Sequence, residues 1–521
     1  MQESNTGQTA DLLLNGLCRV SHSISYLNLV LVSVAPGQTL GISEASALAA
    51  WRGAEASLKQ DRTRFAIRSP GKLFLLYSGT TTSGLNAAIA SSGAGTIRTA
   101  APVLTADRAI EVHRRDLTLE LAETQIMGSS ALPYLLRIEN AANVTINGGS
   151  FSGTASGILV SASDNVSITR VHLESLHGAG IVVTGSTKVT VSDNTLSRLA
   201  MAGILIHKGT TQSVIRGNRI SEEQGYSNME AGIVVSDREV DVSLNPAAVL
   251  GPDGYWAITE PITARLNPPH DNLIAWNSVT TGLSSGIYSD GGIRNVFAGN
   301  FLQGNSKEGL CLDNGSSGNV VASNTVQDNG ARWGHQDAVL EYDSIRDGGR
   351  LPDGTAAEKV PGISLDNAVY NLVLSNNVSH NFGGGVKIVR TGYFNVIGLN
   401  LLVHDNDGAS DRFHFFGIEL GAAPGSSAEL DFTASRGNIV FSNVIRGSHY
   451  SGIFLAAGSD RNYLAFNAIS DAGSWALEAA QAMTNSSVNN LTNLPSRNIG
   501  SGLDPMLITA GAAVMDMPPA N

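Results

Sequence analysis

Cysteine is almost missing from this chain. Cys18 and Cys311 are the two it has, they lie far apart, and nothing indicates that they pair, so a disulfide framework is excluded as the source of stability. No run approaches the roughly 20 apolar residues of a membrane span. No His/Cys set has zinc spacing and no glycine-rich loop opens a helix, which leaves structural zinc and nucleotide binding without support. Positive charge is also short: 33 Lys+Arg stand against 45 Asp+Glu, a formal net charge of −12. That balance argues against nucleic acid or an anionic membrane as a general partner, and a polyanionic substrate would need a local basic patch. The stretch LNLVLVSVAP at 27–36 has the length of a signal-peptide core, but the segment before it is long and carries only Arg19 as a fixed positive side chain. The compartment stays open.

Glycine, by contrast, is plentiful at 57 residues, and much of it falls in one frame. Gly157-Ile-Leu-Val, Gly180-Ile-Val-Val and Gly203-Ile-Leu-Ile lie 23 residues apart, and Gly286 to Gly309 and Gly362 to Gly385 repeat the spacing. Between the glycines an Asn recurs five positions after another, as in Asn272/Asn277, Asn295/Asn300, Asn319/Asn324, Asn371/Asn376, Asn395/Asn400, Asn438/Asn443 and Asn462/Asn467. A unit this short, with β-branched runs and Gly and Asn at its corners, suits strands and turns and has no room for a helix pair. Stacked units bury a core that one unit could not bury alone. Asn is expected to take the left-handed corner conformation and to bond to the same residue one coil above and below. The implied fold is an all-β parallel β-helix solenoid.

A solenoid lengthens without adding domains, so 521 residues do not translate into a domain count. Residues 1–83 are read as an N-terminal extension and cap, with a short helix expected at 45–59. Residues 84–484 are read as the β-helix, and 485–521 as a C-terminal tail. Four insertions interrupt the coils, at 237–266, 330–361, 405–416 and 421–436, each beside a glycine-frame strand; loops of this length in a compact repeat are more often functional than accidental. They are expected to wall a groove on one sheet.

The two-residue strand period decides what faces that groove. With the second and fourth residues of each frame pointing into the core, the fifth reads Ser161, Thr184, His207, Ser236, Asp290, Asp313, Asp366 and Val389. The third reads Leu159, Val182, Leu205, Val234, Tyr288, Cys311, Ser364, Lys387, Glu419 and Phe454. Three carboxylates therefore follow one another at about 4.8 Å per strand, with Lys387, Arg390 and Glu419 close behind. A bare row of like charges destabilises a fold and raises the pKa of its members, so a cation, a proton or the adjacent Lys and Arg should compensate it. The bland alternative is that these Asp merely end strands, since Asp313-Asn314 and Asp366-Asn367 read as corners. His335 in one insertion and Arg412 and His414 in another could complete the site, or simply be solvated. Trp256, Trp276 and Trp333 are candidate sugar platforms, Trp276 falling in a core run.

The frame, and the passage SGLNAAIASSGAGTIRTAAPV from Ser83 with RAIEVHRRDLTLELAETQIMG after it, resemble the right-handed parallel β-helix (pectate-lyase-like) superfamily of polysaccharide-active enzymes, in which a short helix caps the first coil. The resemblance implies a polysaccharide or oligosaccharide substrate and a right-handed solenoid; the repeat itself specifies no chemistry. In the lyases of that fold, carboxylates bind calcium against a uronate and a Lys or Arg takes the C5 proton. Carried over in kind, Asp290, Asp313 and Asp366 would hold Ca2+, Lys387 and Arg390 would abstract and neutralise, and Tyr288, His207, Glu419, His335, Arg412 and His414 would contact substrate. Pro269-His270-Asp271 matches the triplet of mannuronan epimerases but runs into the corner residue Asn272, which favours a solvated corner His. Hydrolysis or glycosyl transfer by paired Asp is the alternative to elimination, and a non-catalytic glycan-binding or surface protein is the further one. The sequence leans to elimination, because Lys387 and Arg390 fall beside the carboxylates. It leaves the sugar and the oligomeric state unread.

Overall fold

The computed structural model describes residues 74–91, 95–128, 132–153, 156–199, 201–221, 231–237, 267–280, 285–330, 361–389, 392–404, 416–421, 435–456, 459–479 and most of 485–498, together with two strand pairs. In the unit Met1–Leu73, strands Cys18–Ile24 and Leu29–Val34 pair antiparallel. Strands Ala248–Leu250 and Trp256–Ile258 pair likewise within the first insertion. The helix expected at 45–59, together with Trp333, Arg390, His335, Arg412 and His414, lies outside the described residues.

The unit Phe74–Asn521 is a right-handed parallel β-helix of three sheets. Sheet I has 15 strands, from Phe74–Tyr77 to Ser486–Val488; sheet II has 14, from Val103–Thr105 to Leu491–Thr492; sheet III has 14, from Ile110–Val112 to Arg497–Asn498. Each coil visits them in that order, as Ala142–Asn147, Ser150–Ser152 and Ser156–Ser161 do, and every strand pairs in parallel with its counterparts in adjacent coils. The sheets thus begin before residue 84 and run past 484, the limits expected from the glycine frame: a first strand pairs at Phe74–Tyr77 and last strands at 486–498 without a frame glycine.

Inside, the second and fourth frame residues make one continuous core: Ile158, Val160, Ile181, Val183, Ile204 and Ile206 are fully buried in it. The frame glycines are there for clearance. A Cβ on Gly157, Gly180 or Gly286 would stand 2.6 Å from the carbonyl oxygen of the glycine one coil on, closer than any real contact.

The Asn residues ladder as expected but not in the conformation expected. Asn300 is typical: its Oδ1 accepts from Asn277 N and Nδ2, both at 3.0 Å, while its Nδ2 donates to Ile274 O at 3.0 Å and to Asn324 Oδ1 at 2.9 Å. Every polar atom of a buried amide is thereby used, which is the condition for burying it cheaply. The left-handed residue is the one before each Asn: Trp276, Gly299, Ser323, Ser375, Leu399, Ser442 and Phe466 have φ from 51° to 63°. Trp276 is accordingly not in the core; it is a half-buried corner residue lying against Gly299.

The helix Thr82–Ser91 closes the first coil. Thr81 Oγ1 accepts Gly84 N–H at 3.2 Å, Asp107 from the following coil accepts Ser83 N–H at 2.9 Å and Thr82 Oγ at 2.8 Å, and Arg114 donates to the Ile89 carbonyl near the other end. Leu85 and Ile89 enter the core. Asn86 bonds in both directions to the otherwise open edge strand, donating to Ala109 O and accepting from Glu111 N, so the end of the solenoid presents no bare strand.

Candidate functional site

Sheet III carries the glycine frame, and its register aligns the expected columns. Ser236, Asp290, Asp313, Asp366 and Val389 are consecutive partners, and so are Val234, Tyr288, Cys311, Ser364, Lys387, Glu419 and Phe454. The core side of the same strands is Ile287, Leu310, Leu312, Ile363 and Leu365. The three Asp therefore share one outer face on adjacent strands. Two insertions attach at its border: 237–266 begins directly after Ser236 and 330–361 ends directly before the strand Ile363–Asp366.

This face is unevenly accessible. Its first half is apolar and shut, with Leu159, Val182, Leu205 and Val234 clustered around Tyr288. His207, read from sequence as a substrate contact, is fully buried, its Nδ1 3.2 Å from Thr184 Oγ1; it cannot touch a ligand as it stands. Asp290 is 1 % exposed and accepts a hydrogen bond from Ser236 Oγ at 3.2 Å. Asp313 and Asp366 are half-buried and reach the surface. The Tyr288 hydroxyl donates to Asp313 Oδ2 at 2.7 Å. Burial first, then the charges of Asp313 and Asp290, push the phenol far above its ordinary pKa, so it is a neutral donor at any working pH. One strand before Asp313, Ser285 Oγ donates to Glu308 Oε2 at 2.8 Å.

Lys387 and Glu419 are strand partners with Nζ and Oε2 3.8 Å apart, and their side chains are only 10 % and 4 % exposed. A lysine held this way beside a carboxylate is stabilised as a cation, which suits charge balance better than proton abstraction. Beyond them Phe454 stacks on Phe416 at 4.3 Å. Cys311 is a buried free thiol in the same column.

The donor set does not fit the calcium expected from the Asp column. Asp290 is sealed and takes Ser236, Asp313 Oδ2 takes Tyr288, and among the described residues no three His, Cys, Asp or Glu converge closely enough to hold a metal. Pro269-His270-Asp271 sits at the corner leading into sheet I, as its place before Asn272 implied. Arg294 clamps both Asp271 oxygens at 2.6 and 2.8 Å, and His270 Nδ1 is 2.8 Å from Asp271 Oδ2. Burial would raise the Asp271 pKa, but the hydrogen bonds and charge of Arg294 and His270 bring it below the ordinary value.

Sequence reasoning missed Ser236 and Glu308 as partners on this face, because neither stands in a charged run. It also missed an exposed aromatic pair, Tyr370 and Phe394, at the next corner. The signal was available there: both directly precede a ladder Asn.

Residues 125–246 match the family model described as a right handed beta helix region, and residues 259–412 match that of NosD, a periplasmic copper-binding protein. No curated protein matches the chain. Among solved structures, the A-module of the mannuronan C-5 epimerase AlgE6 of Azotobacter vinelandii is 14% identical, covering 84% of this chain and 98% of its own, with a TM-score of 0.43. The DFA-IIIase of Arthrobacter chlorophenolicus, in complex with GF2, is 12% identical over 70% of this chain and 90% of its own, TM-score 0.42. An alginate lyase of a Paenibacillus species is 11% identical over 83% and 99%, TM-score 0.28. These neighbours are carbohydrate-active enzymes of several reaction types, and at such identities the likeness is one of fold.

Proposed function

We propose that this right-handed parallel β-helix cleaves a glycosidic bond on the outer face of sheet III, with Asp313 and Asp366 as the reacting carboxylates. The observation that carries the reading is the contact of the neutral Tyr288 phenol with Asp313 at 2.7 Å, next to Asp366 as its strand partner. Adjacent parallel strands stand about 4.8 Å apart, near the roughly 5–5.5 Å carboxyl separation of retaining glycosidases. In such a pair the roles divide. Tyr288 holds Asp313 as the ionised partner, because a hydrogen bond to a carboxylate favours its charged form. Asp366 gives its proton to the leaving oxygen as the glycosidic bond breaks, Asp313 bonds to the anomeric carbon, and water or an acceptor hydroxyl then releases the sugar while returning a proton to Asp366. Asp290 and the Lys387–Glu419 pair set the charge around the two.

Elimination, to which the sequence leaned, needs a free base, and the Lys387–Glu419 ion pair disfavours it. What still favours it is the presence of Lys387 and Tyr288 in one outward column, a cation and a proton donor facing the same way. The two chemistries separate on a panel of acidic and neutral polysaccharides followed for reducing ends and for absorbance of an unsaturated product. Cleavage without the chromophore is expected, with Asp313→Asn and Asp366→Asn each lowering turnover by about 10²–10⁴-fold and Lys387→Ala by much less. A chromophore that disappears only in Lys387→Ala would transfer the site to elimination; no product from any glycan would remove the catalytic reading.

A further inference from the structure

The corner joining sheet III to sheet I carries a second feature at the border of the Asp-bearing face. Four residues past Asp366, Tyr370 is 56% exposed, and one coil on, Phe394 is 50% exposed. Their rings stack with centroids 5.3 Å apart and planes 11° apart, and Tyr393 meets Phe394 edge-on at 6.4 Å. Both residues have left-handed φ, 58° and 56°, a conformation costly for a bulky side chain. The same corner position is Gly318 one coil before and Gly437 one coil after, with φ of 64° and 65°. Glycine therefore serves this turn without strain, and folding alone does not call for two exposed rings there.

The two glycines differ in what lies over them. A Cβ on Gly437 would meet the Phe394 ring at 2.7 Å, so Phe394 lies against that glycine; the nearest atom to a Cβ on Gly318 is Arg294 Cγ at 3.5 Å. Arg294 and Tyr370 stand two coils apart, about 9.6 Å at ~4.8 Å per strand, with only Gly318 between them. Contact distances of about 3.5–4 Å on each side leave room for one ring-thick ligand. One wall is an aromatic face backed by Phe394, the floor is backbone, and the other wall is the Arg294–Asp271 ion pair.

We propose that this slot binds one sugar ring of the glycan, its apolar C–H face on Tyr370 and its hydroxyl edge toward Arg294 and Asp271. The inference rests on the glycan-cleaving reading, since four residues of chain span at most about 14 Å and place the slot a short oligosaccharide away from Asp366. Phe394 is a positioning residue that keeps the Tyr370 ring from turning away.

Affinity electrophoresis through gels containing alginate, polygalacturonate, inulin or a neutral α-glucan tests the slot directly. The variants are Tyr370→Gly, whose backbone suits the left-handed φ so that folding is kept, and Tyr370→Trp. Wild type should be retarded in at least one gel, with affinity falling about tenfold in Tyr370→Gly and kept in Tyr370→Trp; on a cleaved glycan, Tyr370→Gly should raise KM most for long chains. Equal retardation of wild type and Tyr370→Gly, or no retardation of wild type, overturns the slot. Retardation lost in Tyr370→Gly while wild type cleaves nothing would uphold the slot and sink the catalytic reading. Cleavage abolished in Asp313→Asn with KM unaltered at every chain length in Tyr370→Gly would do the reverse.

Discussion

At the scale of single residues, Tyr288 is where burial and charge act on one proton. Its phenol is disfavoured as phenolate by burial and then by Asp313 and Asp290, so its folded pKa lies above the unfolded one. The sign follows: the stabilisation is fully present below the unfolded value, about 10, and is lost as pH rises beyond it. Denaturation midpoints should therefore fall from about pH 10 upward, and less steeply in Tyr288→Phe. At neutral pH that substitution removes the donor at Asp313 Oδ2 and should cost about 1–3 kcal/mol in urea unfolding, with turnover falling about 10–100-fold if Asp313 reacts. Equal alkaline slopes for the two proteins would contradict the placement of that proton. The Asp column and its register were legible in the sequence, because Gly286, Gly309 and Gly362 fix the phase of their strands and the period of two does the rest. The sealing of Asp290, Glu419 and Lys387 was not: how far an outward side chain is covered depends on chain packed over the sheet, and no strand period encodes it.

Among the elements, the capping helix shows how a terminus is held from outside itself. It has no acidic residue in its first turn and no basic one in its last; Asp107 and Arg114, both further along the chain, supply those charges where the helix dipole favours them. Hydrogen bonds from Ser83 and then Thr82 draw the Asp107 carboxylate from 3.8 down to about 2. A depressed carboxylate stabilises above its unfolded pKa and releases that stabilisation as pH falls through the folded one, so the cap is complete above about pH 4 and fades toward pH 2. Hydrogen exchange over 82–91, corrected for intrinsic rate, should speed up across that window in wild type, whereas Asp107→Ala should be fast and flat at all pH. Exchange in wild type as slow at pH 2 as at pH 6 would count against the cap. The text from Ser83 announced this helix, and the Asn spacing announced the ladders. What it hid was the division of labour at each corner, where the residue before the Asn takes the left-handed turn, as Trp276 and Phe394 do, and frees the Asn to be buried.

The molecule as a whole is a stack in which each coil meets only its neighbours, and stability should then be close to a sum of coil and interface contributions. Gly180 and Gly203 hold the same place one coil apart, so deleting 181–203 joins Gly180 to Ile204 in phase. Ile158 and Val160 would then face Ile204 and Ile206 in place of Ile181 and Val183, their present partners. The Val171 N–H, which donates to Asn194 Oδ1 at 2.8 Å, would inherit Asn218 Oδ1, now the acceptor for Asn194 N–H at 3.1 Å. Every lost contact has a like replacement, and the coil removed lies on the neutral stretch of sheet III, away from Asp313 and Asp366. The shortened chain should fold cooperatively with a loss of about 1–3 kcal/mol, at roughly 0.05–0.15 kcal/mol per residue, and keep whatever glycan cleavage and retardation the full chain shows. Removing only 181–192 shifts later strands off their sheets and should abolish folding, as read by circular dichroism and gel filtration. If both deletions behave alike, the glycine frame does not set the phase of this solenoid, and the alignment of the Asp column inferred from it loses its foundation.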